Sequence, residues 1–76
     1  MSECEWIDIF GDNLRDIIAD SRMTQEEVAE EAGISQSAIS RYINKQMMPS
    51  LKTVINLAYV LDCDITDFID FGEMIE

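Results

Sequence analysis

Between Thr24 and Asn44 the chain reads TQEEVAEEAGISQSAISRYIN, two short helical patterns separated by only Gly33, Ile34 and Ser35. That spacing forces two helices into a tight corner. Thr24 can cap the first pattern while Glu27 reaches back to it, and Val28, Ala29 and Ala32 form the inner face. Gly33 supplies the positive φ that a tight helix exit needs, Ile34 plugs the corner, and Ser35 caps a second helix over about 36–44. Within that helix Ile39 and Ile43 point inward. Gln36, Ser37, Ser40, Arg41 and Asn44 are left on an open side that carries no acid.

The rest of the chain supplies three more helices. Phe10, Leu14, Ile17 and Ile18 recur at helical spacing and predict a helix over about 9–20, with Asp8 as its cap. Pro49 bars continuation beyond the corner, and Ser50 caps a helix whose apolar stripe is Leu51, Val54, Ile55, Ala58 and Leu61. Asp64 caps a short last helix holding Ile65, Phe68 and Ile69. There is no internal repeat, low-complexity tract or linker. A chain of 76 residues can bury one core, so the expectation is an all-α, compact five-helix bundle forming a single domain over 1–76. No apolar run reaches the roughly 20 residues of a membrane span, and acids stand where a signal peptide would be basic, which predicts a cytoplasmic protein. In that compartment Cys4 and Cys63 are expected as free thiols.

Charge divides the chain into three parts. The net value of −11 comes from six acids in residues 1–21, the Glu26, Glu27, Glu30, Glu31 cluster, and six acids in residues 57–76. From Ala32 to Leu61 there is no acid at all, and Arg41, Lys45 and Lys52 lie there. The acid cluster is read as a solvated helix face rather than a metal site, since the chain has no His. Enzymatic activity has no support: there is no glycine-rich phosphate loop and no Cys/His pair, and the body is too small for a sizeable pocket. No cofactor or metal is expected.

The Thr24–Asn44 run, continued by PSLKTVINLAYVL and DITDFI, resembles the lambda-repressor and Cro-like helix-turn-helix family of XRE-type transcriptional regulators over roughly residues 9–70. The resemblance rests on Thr-Gln opening the first helix of the corner, Ala29, Gly33 in the turn, Ser-Gln opening the second, Ile-Ser-Arg-Tyr, and Pro-Ser. It implies a lambda-repressor-like fold with a helix-turn-helix core over 24–44, whose second helix enters the major groove of double-stranded DNA. It assigns base contacts to Gln36, Ser37, Ser40 and Arg41, with Gln36 suited to adenine N6 and N7 and Arg41 to guanine O6 and N7. Backbone contacts fall to Thr24, Gln25, Ser35, Asn44 and Lys45, where helix N-termini also favour an anion.

Two departures from the family pattern carry consequences. Where many relatives pair an Arg of the first helix with a Glu near the end of the recognition helix, this chain has Ile18 and Ile43, which are expected to touch as an apolar pair. Where relatives place Gly and then basic residues, it reads Lys45, Gln46, Met47, Met48. Fewer phosphates are then neutralised, and the salt dependence of binding should be shallow. The functional expectation is a sequence-specific regulator, a repressor of phage or mobile-element type, acting as a homodimer on a palindromic operator. The alternative is an acidic protein-interaction or antitoxin-like module with the same fold and a protein partner, which the charge of −11 favours. Trp6, Ile7, Phe71, Met74 and Ile75 lie outside the matched core, as bundle caps or as part of a dimer interface.

Overall fold

The computed structural model describes residues 3–69, with side chains from Trp6 onward. Five helices follow in order: α1 (Glu3–Ser21), α2 (Gln25–Ala32), α3 (Gln36–Ile43), α4 (Leu51–Val60) and α5 (Ile65–Phe68). Phe71, Met74 and Ile75, named above as possible caps, lie outside the described residues, as does the side chain of Cys4.

Helix α1 packs against α3 and α5, α2 against α3 and α4, and α4 against α5. Each helix gives the shared core the residues its periodicity allows. Phe10, Leu14 and Ile18 come from α1, Val28, Ala29 and Ala32 from α2, and Ile39 and Tyr42 from α3. Val54, Leu57, Ala58 and Leu61 close the core from α4 and its cap, and Phe68 from α5. Phe10 sits at the centre of an aromatic group. Trp6 stacks on it at 5.5 Å, Tyr42 meets it edge-on at 6.0 Å, and Phe68 tilts against it at 5.5 Å. Ile18 is buried and Ile43 is half-buried against the same core.

The sequence places the start of α1 too late. Asp8 is an exposed residue within α1 rather than its cap, because the helix begins at Glu3 and Trp6 extends the apolar face one turn upstream to reach Phe10. The stripe expected on α4 also divides. Val54, Ala58 and Leu61 are buried together with Leu57, whereas Leu51 and Ile55 face outward. On α3 the second inward residue is Tyr42, with Ile43 at the core's edge.

Local chemistry fixes the ends. Thr24 and Glu27 form the reciprocal capping box, with Glu27 N donating to Thr24 Oγ1 at 3.1 Å and Thr24 N donating to Glu27 Oε1 at 2.9 Å. Ser35 and Ser50 cap α3 and α4 by accepting from Ala38 N and Thr53 N. Four residues that follow helices adopt left-handed φ values: Arg22, Gly33, Lys45 and Asp62, at 69°, 76°, 61° and 54°. Three of those four are not glycine, at a backbone cost of ~1 kcal/mol each. The exits at Gly33, Lys45 and Asp62 are nonetheless fully bonded. Ile34 N, Gln46 N and Cys63 N donate back to Ala29, Arg41 and Ala58 carbonyls at 3.0, 2.8 and 3.0 Å. Cys63 is a half-buried free thiol. Burial first, and then the nearby Asp67, Asp64 and Asp62 carboxylates, push its ionisation upward, which suppresses thiolate reactivity. Among the described residues no helix is long and apolar enough to cross a membrane.

Candidate nucleic-acid interface

The α2–turn–α3 corner presents one helix outward because the other is pinned behind it. Val28, Ala29 and Ala32 bury the inner side of α2, and Ile39 and Tyr42 bury the inner side of α3. What remains outside on α3 is polar. Gln36, Ser37 and Arg41 are exposed, Ser40 is half-buried, and Asn44 is exposed with its Nδ2 donating to Ser40 Oγ at 3.3 Å. All four residues expected at base edges therefore belong to one short helix of eight residues, and Arg41 lies in its last turn.

The residues expected at the DNA backbone are arranged less uniformly. Thr24 and Ser35 stand at the N-termini of α2 and α3, but their hydroxyl oxygens already accept the capping bonds. Gln25, half-buried, opens α2. The first turn of α2 also carries Glu26 and Glu27, which compete with an incoming phosphate for the positive end of the helix, whereas the first turn of α3 has no acid. The more favourable anion position is thus the start of α3.

Lys45 is the residue whose surroundings the sequence did not disclose. Its Nζ donates to Asp12 Oδ1 of α1 at 2.6 Å, and the same carboxylate oxygen lies 3.9 Å from Arg15. The Lys45 hydrogen bond and charge hold the Asp12 carboxyl below its ordinary ionisation range, against a smaller upward push from burial. Lys45 reaches that far because α1 and the end of α3 come together at Gly11. A Cβ there would lie 2.6 Å from the Tyr42 carbonyl oxygen and 3.2 Å from that of Ile43, and the Lys45 Cε passes 3.4 Å away. Gly11 and Asp12 therefore hold the C-terminal end of the outward helix. A glycine in the middle of an apolar helical pattern was the one sequence signal that could have flagged this approach. Asp12 itself gave none, because its partner lies 33 residues away.

The helix-turn-helix family model HTH_3 matches residues 14–68. The HTH-type transcriptional regulator YqaE of Bacillus subtilis is 31% identical over 65 residues, a stretch covering 86% of this chain and 55% of that protein. The chain thus spans about half the length of the curated relative it matches. Among solved structures, the SOS-response transcriptional repressor LexA from Eubacterium rectale superposes with a TM-score of 0.84 at 26% identity, covering 100% of this chain and 81% of that one. The restriction-modification controller protein C.AhdI from Aeromonas hydrophila gives a TM-score of 0.83 at 24% identity, with 90% and 99% covered. The clp gene regulator ClgR from C. glutamicum gives 0.78 at 22% identity, with 83% and 82% covered, and like C.AhdI it bears on the fold alone.

Proposed function

Because this chain belongs to the helix-turn-helix family whose model it matches over residues 14–68, we propose that it is a DNA-binding transcriptional regulator that reads the major groove with α3. The observation that carries this reading is the outer face of α3, polar, exposed and without an acid in a chain of net charge −11. Gln36 and Arg41 make bidentate contacts to base edges, and Ser37 and Ser40 let the helix approach closely. Thr24, Gln25, Ser35 and Asn44 set register on the phosphates. Lys45 joins them only after leaving Asp12. Repressor action is proposed from the likeness to the LexA repressor. Residues 1–76 act as one DNA-binding unit, and a homodimer sets two copies of α3 about one helical turn apart on a palindromic operator.

The net charge of −11 favours a second reading, an acidic interaction module for a basic protein partner, because long-range repulsion slows approach to DNA. Selection from a random duplex pool at low and then physiological salt separates the two. A short palindrome enriched by the native chain and lost in both Gln36→Ala and Arg41→Ala is the expected result. No enrichment even near ~50 mM salt, where electrostatic attraction to DNA is strongest, would overturn the reading.

A further inference from the structure

Resting on the DNA-binding reading just given, we infer that Arg22, in the turn leading into α2, is a phosphate ligand that holds the DNA backbone against the start of the helix-turn-helix. The chain has five lysines and arginines, Arg15, Arg22, Arg41, Lys45 and Lys52, against 16 acids. Two of the five are already engaged. Arg15 pairs with Asp12 and Asp16 at 3.9 and 3.5 Å, and Lys45 with Asp12 at 2.6 Å. Arg22, Arg41 and Lys52 form no ion pair among the described residues. Arg41 is assigned to base edges above, and Lys52 belongs to α4, outside the α2–α3 corner. That leaves Arg22 as the uncommitted cation at the corner's entrance. It is exposed, and no carboxylate holds it although Asp20, Glu26 and Glu27 are close to it in sequence.

The backbone of Arg22 is held while its side chain is free. Ser21 Oγ donates to the Ile18 carbonyl at 2.7 Å and accepts from Met23 N at 3.1 Å, so the turn is tied on both sides of Arg22. Met23 packs against the core, and Thr24 is fixed by its capping box with Glu27. Arg22 stands two residues before Thr24, which keeps their Cα atoms within about 7 Å of each other. A duplex read by α3 lays its backbone across the first helix of the corner. The residues assigned to that backbone at α2, Thr24 and Gln25, are uncharged, and Glu26 and Glu27 repel a phosphate. Lys45, the cation of the backbone set, is bound to Asp12. The Arg22 guanidinium supplies the missing positive charge, and its planar fork matches two phosphate oxygens at once. Such a contact adds affinity for any duplex and carries no base preference.

Arg22→Gly in the full chain tests this. Glycine adopts the left-handed φ of 69° without steric strain, so losing the side chain should leave Tm at or above the native value. Titrations with the selected duplex and with a mixed-sequence duplex should both show binding weakened about tenfold near ~50 mM salt. The plot of log affinity against log salt should become shallower by about 0.9, and Arg22→Lys should keep the native slope because the charge remains. Removing one cation also moves the net charge by one unit, from −11 to −12, so a local contact must be told from stronger long-range repulsion. Duplexes carrying a single neutral methylphosphonate do so. At a phosphate that Arg22 contacts, neutralisation should weaken the native chain several-fold and leave Arg22→Gly unaffected. A slope unchanged in Arg22→Gly, or a loss of affinity with no such phosphate, overturns the inference. The two readings fail in different ways. A native chain that binds no duplex ends both, whereas a palindrome bound equally well by the native chain and Arg22→Gly ends only the Arg22 contact. If every duplex is bound alike and Arg22→Gly weakens all of them, the contact stands and base reading by α3 falls.

Discussion

Lys45 occupies a position where two demands meet, since it must turn the chain through a left-handed φ of 61° and it carries one of only three positive charges between Ala32 and Leu61. Its ammonium is held by Asp12, so in the free protein it is already neutralised by a carboxylate rather than available to a phosphate. Replacing Asp12 with Asn should release it. DNA binding by Asp12→Asn is expected to be tighter at low salt, and a plot of log affinity against log salt should steepen by about 0.9, the contribution of one more phosphate contact. An unchanged slope would mean that Lys45 does not reach the DNA backbone. The same pair has a pH signature. The folded-state carboxyl of Asp12 ionises below its ordinary value, so its contribution to stability is present above that value and is lost as pH falls through the lowered one. The contribution is small because the Asp12 side chain is 49% exposed. The polar outer face of α3 and the capping hydroxyls were legible in the sequence because caps and faces are local properties. The fate of Lys45 was not, since an ion pair between residues 12 and 45 exists only once α1 and α3 are packed.

Helices were recognisable where a start signal, an apolar period and a stop signal agreed, as in α2 between Thr24 and Gly33. They were misjudged where a local signal competed with packing. Asp8 is a good cap in isolation, yet the stacking of Trp6 on Phe10 carries α1 past it. Periodicity on α4 does not distinguish a side chain facing the core from one facing outward, so the apolar stripe read from sequence includes Leu51 and Ile55 with Val54. The crossing of α1 and α3 yields two tests. Gly11→Ala forces a methyl against the backbone oxygen of Tyr42, which cannot rotate away as a side chain would. A loss of about 1–3 kcal/mol is expected, and on the scale of 4–8 °C per kcal/mol for a small domain the fall in Tm is readily measured. A variant as stable as the native chain would show that the two helices do not approach this closely. The second test concerns Ile18 and Ile43. An Arg placed alone at the buried Ile18 position should cost about 3–5 kcal/mol as an unpaired buried charge. If the two side chains are neighbours, Ile18→Arg with Ile43→Glu should be more stable than the sum of the singles by about 1 kcal/mol or more, whereas strict additivity would place them apart.

At the level of the whole molecule the unusual property is a nucleic-acid reader's fold carrying a net charge of −11. Short-range recognition and long-range steering are separable. The contacts proposed for α3 would act at hydrogen-bond distance, while the acidic flanks act over a Debye length of about 10 Å at 0.1 M salt. The acidic field should therefore slow association and suppress binding to arbitrary DNA without altering which bases are preferred, since the local contacts that rank sequences are unaffected. Glu30 and Glu31 are suitable for testing this, because both are exposed on α2 and neither takes part in the Thr24–Glu27 capping box. Changing both to Gln moves the net charge from −11 to −9, two charges removed from a helix adjoining the proposed reading surface. Association with the selected operator, followed by stopped-flow, should accelerate by roughly two- to fivefold at low salt and converge on the native rate near 0.5 M, where the Debye length is only a few ångströms. Dissociation from the operator should change little, and the ratio of specific to non-specific affinity should fall because arbitrary DNA gains most from reduced repulsion. An acceleration that persists at high salt would instead indicate that one of these carboxylates blocks a contact directly, placing the end of α2 within the interface itself.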